Sequence, residues 1–316
     1  YAGSIPTPAS IRSVMLPSMT NYNKAYIYAL VSVLFWSTAA TAFKIALAHL
    51  DIFQLLFYAS MASTLILLTP ILFNKQIRLL IKEAKAHWKR CLLIAVLNPS
   101  SYYLILFAAY DRLPAQIAQP INYTWAIVLT FMSVIFLRQR PLVSDYLAAF
   151  ICYAGVVVIS QGGLDSFADS YVMGVALAIL STFVWASYWI LDVNDPRSQK
   201  VAMCLNFLFA LPFTAFLCFT MSSFTIDLIG LASAMYIGIF EMGLAFLFWS
   251  KALRMAENTS RVSTLIFLAP FLSLVFIQEI LNETILSNTY LGLGIIIFGL
   301  VLQRVGVSRQ NKAHSG

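Results

Sequence analysis

The chain has 316 residues, of which 60% are hydrophobic and only 10% are charged. Soluble domains carry about 25% charged residues, so this composition excludes a protein that folds with water as its main solvent. The formal net charge of +7 would suit a nucleic-acid-binding protein. The basic residues, however, are concentrated in short breaks between apolar runs, which indicates a role in membrane orientation instead.

Apolar runs of roughly 20 residues follow one another along the chain, the length with which an α-helix crosses a hydrocarbon core of about 30 Å. The sequence lacks the alternating ten-residue segments of an outer-membrane barrel. It therefore predicts an all-α membrane protein with ten transmembrane helices. We place these spans at residues 26–48, 51–73, 89–110, 115–137, 143–161, 171–192, 199–220, 230–251, 259–280 and 287–306.

The two ends of the chain are predicted to be tails. Residues 1–23 contain three prolines and no apolar run, so we expect a flexible segment, with Met15 or Met19 as candidate natural starts. Residues 308–316 should form a short cytoplasmic tail. The four cysteines lie in or beside apolar runs without CxxC spacing, so we interpret them as small buried hydrophobes and expect no metal or cofactor.

The positive charges predict the orientation in the membrane. If the N-terminus is cytoplasmic, every Lys and Arg of the chain except Lys44 and Arg112 lies on or near the cytoplasmic side. We therefore expect a multi-pass protein of the bacterial inner membrane with both termini in the cytoplasm. The lipid bilayer is its expected partner, and nucleic acid is not.

The sequence also repeats itself. Residues 146–156 resemble residues 290–300 at an offset of 144, and residues 32–36 resemble residues 181–185 at an offset of 149. The chain thus divides into two five-helix repeats, residues 24–161 and 162–307. Because five is odd, the second copy enters the membrane from the opposite face, and such inverted repeats are typical of secondary transporters.

Several stretches resemble the EamA family of the drug/metabolite transporter superfamily. They are residues 35–38 (FWST), 122–125 (NYTW) and 240–243 (FEMG), together with Gly155 and Gly299. With ten spans and the repeat length, the resemblance covers about residues 24–307. It implies export of an amino acid or a similar amphipathic small molecule, and it leaves open a carrier of choline, riboflavin or a nucleotide-type solute.

The stretch in span 4 is most similar to that of aromatic amino-acid exporters. In those proteins a proline typically follows the tryptophan, whereas this chain has Ala126 there and Pro120 six residues earlier. We therefore expect the kink of span 4 to lie at a different position in this chain.

Glu241 is the leading candidate for a substrate-binding residue. It lies near the middle of span 8, where a charge costs about 2.5–3.5 kcal/mol on insertion scales. It is expected to bind a substrate ammonium or to take up a coupling proton; a structural hydrogen bond between helices is the alternative. Gly238 and Ala245 share its helical face by spacing, which predicts room for water or a solute head group.

Polar residues in spans 3 and 4 form a second candidate group. Asn98 and Tyr102 share one face of span 3, and Gln119, Asn122 and Tyr123 follow i, i+3, i+4 spacing in span 4. Because the second repeat lacks this stripe, it suits the binding of an asymmetric solute. The alternative is interhelical bonding worth about 0.6 kcal/mol per bond.

Three further candidates come from spans 1 and 6. Trp36 and Lys44 share a face of span 1, and Trp185 begins an aromatic face on span 6. Aromatic rings hold a cation or another ring, but they also form interfacial belts. Lys44 either pairs with Glu241, meets a substrate carboxylate, or extends to the interface.

We expect spans 1, 3, 4, 6, 8 and 9 to line a cavity, and the uniformly apolar spans 2 and 7 to face lipid. The sequence contains no enzyme motif and no ATPase domain, so we expect a transporter that is not an enzyme and is driven by a gradient. Protons are a candidate coupling ion. The expected oligomeric state is a monomer or a weak dimer. An ion channel and a membrane-embedded enzyme are the alternatives from other classes.

The orientation can be tested with single cysteines and a membrane-impermeant thiol reagent. Cysteines at Asp165 or Asp227 should react from outside the cell, because both positions lie in predicted outer loops. Lys82→Cys should react only after the cell is opened. Labelling of Lys82→Cys in intact cells would contradict both the orientation and the inverted repeat.

Overall fold

A computed structural model of the protein describes residues 21–137, 143–161, 169–193, 195–223, 227–255, 262 and 264–314. The regular structure of these residues is helical, and no strand occurs among them. Most of the predicted N-terminal tail, Asp165 and the predicted start of span 9 lie outside the described residues.

The helices follow one another along the chain with short connections. They are α1 (Asn21–Leu47), α2 (Ile52–Phe73), α3 (Ile77–Ala86), α4 (Trp88–Ala95), α5 (Tyr102–Arg112), α6 (Ala115–Asn122), α7 (Trp125–Leu137), α8 (Val143–Ser160), α9 (Asp169–Val193), α10 (Gln199–Met221), α11 (Leu228–Tyr236), α12 (Ala245–Met255), α13 (Leu268–Leu281) and α14 (Ser287–His314). Between them lie two π-helical segments, Val96–Ser101 and Ile237–Leu244, and a 3₁₀ turn, Thr264–Phe267.

Among the described residues, eight helical segments are long and apolar enough to cross a bilayer, from Asn23–Leu47 to Leu228–Met255. They match the first eight predicted spans, with ends that differ by a few residues. Two shorter apolar helices, Leu265–Leu281 and Ser287–Gln303, lie in predicted spans 9 and 10. The chain is therefore a multi-pass helical membrane protein; its described residues contain eight segments of full spanning length, and the prediction of ten spans stays a prediction.

Large apolar side chains point outward from these helices. Phe73, Phe150 and Leu228 are each more than three-quarters exposed on the surface of the bundle. In water such a surface would be strongly unfavourable, whereas hydrocarbon chains cover it without cost. The exposed surface thus agrees with a lipid environment around the bundle.

Three of the apolar segments are interrupted near their middle, and a fourth begins with an irregular turn. The π-helical segment Val96–Ser101 separates α4 from α5, and Asn98 within it has extended backbone angles (φ −138°, ψ 118°). The π-helical segment Ile237–Leu244 separates α11 from α12, while a turn at residues 123–124 separates α6 from α7. The 3₁₀ turn precedes α13. Such breaks free backbone groups and redirect side chains, and they are frequent at functional sites.

Proline accounts for two of these breaks. Pro99 lies inside the first π-helical segment, where it cannot donate the backbone hydrogen bond of a regular helix. Pro120 lies three residues before the turn that ends α6 at Asn122. The kink of span 4 thus occurs ahead of Ala126, as the position of Pro120 suggests.

Helix packing buries the spans that were predicted to face lipid. α2 and α10 pack against each other, and α2 also packs against Ile237–Leu244. In the most apolar 18-residue stretch of each helix, 56% of the residues are buried, and none of the other described spans has a larger buried share. The prediction for spans 2 and 7 was therefore wrong for one face of each helix, because uniform hydrophobicity does not distinguish a lipid contact from a helix contact.

Glycines bring α8 and α14 into close contact. A Cβ atom at Gly155 would lie 2.7 Å from the carbonyl oxygen of Gly292 and 2.7 Å from Ile296. One at Gly299 would lie 3.0 Å from the carbonyl oxygen of Ala148 and 2.6 Å from Cys152. These two sets of contacts are related by the sequence offset of 144, so the helix pair has the reciprocal contacts of a local twofold axis.

A buried ionic network joins α4 to the end of α9. Asp195 accepts hydrogen bonds from Arg197 at Nε (2.9 Å) and Nη2 (2.6 Å), and their side chains are 4% and 0% exposed. Arg90 donates to the carbonyl oxygen of Leu191 (2.6 Å), and its Nε lies 3.4 Å from Asp195. Arg197 also donates to the sulfur of Cys91 (2.8 Å). This network closes one end of the bundle, on the side predicted to be cytoplasmic.

The charges in this network stabilise one another. Burial alone would raise the pKa of Asp195, but the hydrogen bonds and charge of Arg197, with a further contribution from Arg90, hold that pKa below its ordinary value. Conversely, burial would lower the pKa of Arg197, and Asp195 raises it. Asp195 and Arg197 are therefore both charged at neutral pH.

A second polar network closes the opposite end. Gln116 donates through Nε2 to the carbonyl oxygen of Thr284 (3.0 Å) and accepts from the backbone of Leu286 (2.9 Å) and the hydroxyl of Thr289 (3.0 Å). Glu283 accepts from the backbone nitrogen of Ala115, at the start of α6 (3.2 Å). These bonds tie the start of α6 to the loop between α13 and α14.

The glycine contact predicts unequal effects of two similar substitutions in α14. Gly292→Ala places a Cβ 2.4 Å from Ile159, so it should lower the free energy of unfolding by about 1–3 kcal/mol through overpacking. Gly294 has no atom within 4 Å of its Cβ position among the described residues. Gly294→Ala should therefore be neutral or stabilise by up to about 1 kcal/mol. Detergent-induced unfolding measures both, and equal effects would contradict the close contact.

The buried ion pair predicts a large effect of Asp195→Asn. The substitution leaves two guanidinium groups without their carboxylate, so the free energy of unfolding should fall by about 3–5 kcal/mol. Asp169→Asn, at the exposed start of α9, is the matched control and should have little effect. Because the Asp195 pKa is depressed, its stabilisation is complete above the ordinary aspartate pKa of about 3.9 and is lost as the pH falls through the depressed value. Equal unfolding free energies of wild type and Asp195→Asn at pH 7 would refute this role.

Candidate functional site

A cavity of about 100 Å³ lies between α1, α5, the α6–α7 break, α9 and the broken helix α11–α12. Its lining comes from spans 1, 3, 4, 6, 8 and 9, the six spans singled out by the sequence. The lining residues are Trp36, Ala39, Ala40, Phe43, Tyr102, Leu106, Tyr110, Gln119, Asn122, Tyr123, Trp125, Trp185, Trp189, Glu241, Phe246, Trp249 and Ile266. Seven of the nine predicted site residues are thus brought together in one cavity, while Asn98 and Lys44 lie elsewhere.

Glu241 supplies the only carboxyl group among the described residues of the cavity wall. It is 7% exposed, and the hydroxyl of Tyr103 lies 2.9 Å from Oε1 and 3.0 Å from Oε2. One hydroxyl donates a single hydrogen, whereas a carboxylate offers about four acceptor sites. Glu241 therefore keeps acceptor capacity that a bound group can use.

The small residues near Glu241 serve helix packing rather than the cavity. A Cβ atom at Gly238 would lie 2.2 Å from the carbonyl oxygen of Ala59, and one at Gly243 would lie 2.6 Å from Ile66. Both glycines thus let α2 approach the π-helical segment closely. The prediction that Gly238 leaves room for a solute was wrong, because i±3 spacing does not define a face where the hydrogen bonds run from i to i+5.

Aromatic rings form most of the remaining wall. Trp36 contacts Phe246 and Trp249, each at a centroid distance of 5.4 Å. Trp185 stacks on Tyr102 at 4.3 Å and lies 5.6 Å from Phe246. The five rings thus form a continuous chain of contacts. The predicted aromatic residues Trp36 and Trp185 lie in this chain.

The polar stripe of α6 contributes both a bonded and an unbonded amide. Asn122 accepts from the hydroxyl of Tyr102 (3.3 Å) and donates to Ser181 (2.8 Å), so it connects three spans. The side-chain oxygen of Gln119 is buried and has no hydrogen-bond partner within the described part of the chain. Tyr123 lies at the break after α6 and also lines the cavity. Asn122 therefore positions its neighbours, whereas Gln119 offers a free acceptor.

Asn98 is buried in the first π-helical segment and its side chain lies beside Tyr188 instead of the cavity. The predicted common face of Asn98 and Tyr102 assumes a regular helix between them. The extended backbone of Asn98 breaks that regularity. Spacing of i, i+4 therefore does not bring the two side chains onto one face here.

Lys44 lies at a separate outer pocket with Asp111 and Glu283. Its ammonium donates to the carbonyl oxygens of Tyr110 (2.8 Å) and Leu113 (3.2 Å), at the end of α5. The lysine thus caps a helix C-terminus, where a cation is favourable. In the described structure Lys44 does not pair with Glu241, and it does not line the cavity.

Sequence reasoning did not identify Tyr103, Phe246 or Trp249 as parts of the site. Tyr103 neighbours the predicted Tyr102 in α5, and its hydroxyl donates to Glu241 whereas that of Tyr102 donates to Asn122. Trp249 lies eight residues after Glu241, beyond the second π-helical segment. In the sequence these residues stand out only as aromatic, and aromatic residues occur both in cavity walls and in contacts between helices.

The chain matches known proteins along nearly its whole length. The model of the EamA-like transporter family matches twice, over residues 23–161 and 172–304. A protein of Archaeoglobus fulgidus named "Uncharacterized transporter" is 25% identical over 287 residues, which cover 89% of this chain and 97% of the relative. The "Uncharacterized transporter YvbV" of Bacillus subtilis is 24% identical over 237 residues, covering 73% and 77% of the two chains.

A crystal structure supports the fold. Its chain superposes with a TM-score of 0.65 at 18% sequence identity, over 92% of this chain and 99% of the other. The helical membrane fold, the central cavity and the two family matches agree with one another. The chain belongs to the EamA-like transporter family.

Proposed function

We propose that the protein is a secondary transporter that carries a small amphipathic organic solute across the membrane through the central cavity. The observation that carries this proposal is the buried carboxyl of Glu241, which lines an aromatic cavity and accepts a hydrogen bond from the hydroxyl of Tyr103. Ionisable residues inside membrane spans are costly and mark substrate or ion pathways. The polar networks at the two ends of the bundle are the proposed closures of the cavity.

The proposed architecture is ten spans in two inverted five-helix repeats that exchange inward-open and outward-open states. The two matches of the family model support it. The reciprocal contacts of α8 and α14 and the π-helical segments in spans 3 and 8 also support it, because they recur near the sequence offset of 144. Alternating access by two pseudo-symmetric halves then needs only their relative rotation around a central site.

The proposed setting is a bacterial inner membrane with both termini in the cytoplasm, and the proposed direction is export. The distribution of Lys and Arg supports the orientation. In this orientation the Asp195 network is the cytoplasmic closure and the Gln116 network is the external one. The proposed state is a monomer or a weak dimer, since one chain supplies the whole cavity wall described here.

Transport of this kind takes its energy from a gradient, and protons are the proposed coupling ion. Glu241 is the group that would carry the proton, since it is the only carboxyl of the described cavity wall. Within the described residues there is no group of three or more His, Cys, Asp or Glu that would hold a metal ion. A membrane-embedded enzyme would instead be revealed by turnover of the solute, and a channel by flux that does not saturate.

Glu241→Gln tests the proposal. The substitution keeps the size and most of the hydrogen bonding but removes the charge and the titration, so saturable solute flux into proteoliposomes should fall at least tenfold while folding is retained. Proton-coupled flux should also lose its pH dependence. Glu279→Gln, an exposed glutamate in α13, is the matched control and should transport like wild type. Normal rates and a normal pH profile in the Glu241 variant would reduce this residue to a structural role.

A further inference from the structure

The charges around the cavity restrict the charge of its solute. Glu241 is the only acidic group of the described wall, and no Lys, Arg or His of the described residues lines the cavity. The nearest candidate counter-ion from the sequence, Lys44, is engaged with two backbone carbonyl oxygens at the outer pocket. An ionised Glu241 thus lacks a protein cation in the described wall, and a bound cation is what would offset its charge.

The cavity wall offers free acceptors at two positions. Glu241 has acceptor sites beyond the one that Tyr103 fills, and the side-chain oxygen of Gln119 has no partner among the described residues. An ammonium group has up to three donors and no acceptor. It therefore matches what Glu241 and Gln119 offer.

The aromatic wall favours the same class of ligand. Five of the six tryptophans of the chain line this cavity, in contact with the rings of Tyr102 and Phe246. Ring faces attract organic cations, and tryptophan does so most strongly. The same rings pack well against an apolar or aromatic body.

A solute carboxylate finds no cation in the described wall. The donors that the wall offers are neutral amide, hydroxyl and indole groups, among them the indole nitrogen of Trp189, which is buried without a partner there. Neutral donors replace the solvation of a carboxylate less well than a cation does, and a second anion near Glu241 adds repulsion. Zwitterionic amino acids are therefore poor ligands, in contrast to the substrate that the family resemblance implied.

The volume limits the size of the solute. A cavity of this kind needs about 10–15 Å³ for each water molecule. The volume of about 100 Å³ therefore holds several water molecules, which a compact solute can displace. A small amine with one ring or a compact alkyl body fits this limit.

We propose that the central cavity binds a small organic monocation, with the ammonium group at Glu241 and Gln119 and the apolar body against the tryptophans. The proposal rests on the transport function inferred above and narrows its substrate class from amphipathic solutes to amines. It assigns selection against amino acids to the missing cationic partner for a carboxylate.

Three compounds with the same phenyl ring and two-carbon linker test the charge preference. They are phenethylamine, phenylalanine and 3-phenylpropionate, each added to the full-length protein in lipid nanodiscs. Tryptophan fluorescence reports occupancy directly because five of the six tryptophans line the cavity, and Trp88→Phe removes the sixth, which is exposed. Phenethylamine should bind at least tenfold more tightly than phenylalanine, and 3-phenylpropionate should not bind.

Substitutions then assign the preference to the cavity. Glu241→Gln should weaken phenethylamine binding by at least about tenfold, the loss expected for one charge-assisted hydrogen bond. It should leave binding of the uncharged analogue 2-phenylethanol unchanged. Glu279→Gln should bind both compounds like the parent protein.

The outcomes separate this inference from the proposed function. Tighter binding of phenylalanine, equal binding of all three compounds, or no binding of the amine overturns the inference. Saturable proteoliposome flux of an amino acid without flux of the amine would do so too, while leaving the transport function intact. Binding of the amine without saturable flux of any solute would instead support the site and refute the transport function.

Discussion

The placement of one carboxyl group inside an apolar bundle constrains much of this structure. A charge at the depth of Glu241 costs about 2.5–3.5 kcal/mol on insertion scales unless it faces a cavity or a partner. The protein provides both, through the hydroxyl of Tyr103 and the aromatic cavity. Glu241 lies within the π-helical segment of span 8, and Tyr103 follows that of span 3 by two residues.

A π-helical segment is harder to pack against than a regular helix, and small residues allow neighbouring helices to approach it. The π-helical segment containing Glu241 is wider than an α-helix, and α2 approaches it where Gly238 and Gly243 have no side chain. A similar close approach occurs where Gly155 meets Gly292 between α8 and α14. Hydrocarbon does not drive apolar helices together, so close backbone packing must supply much of the attraction between them. Glycine thus supports both the irregular helix at the site and the regular pair distant from it.

Much of the fold was predictable because the bilayer leaves few choices. Length and hydropathy gave the first eight spans to within a few residues, since a helix must satisfy its own backbone in hydrocarbon. Hydropathy did not distinguish lipid-facing from packed surfaces, so the burial of one face of α2 and of α10 was missed. Spacing rules also failed beside the π-helical segments, which explains the incorrect expectations for Asn98 and Gly238. The positions of Glu241, Trp36 and Trp185 were predictable because their chemistry is unusual for a span, whereas the roles of Tyr103 and Trp249 required the three-dimensional structure.

The two end networks differ in chemistry, and this difference bears on the proposed direction of transport. The Asp195 network is ionic and buried, so opening that end separates charges that stabilise one another. The Gln116 network consists of hydrogen bonds from an amide to backbone and hydroxyl groups, with Glu283 at its edge. Neutral bonds of this kind are individually weaker, so opening of the external end should need less energy in the absence of solute. In the proposed export, a cation enters while the Asp195 network is open, and it shifts the population toward that state only as far as it binds that state more tightly, because a ligand shifts an equilibrium only through its different affinities for the two states.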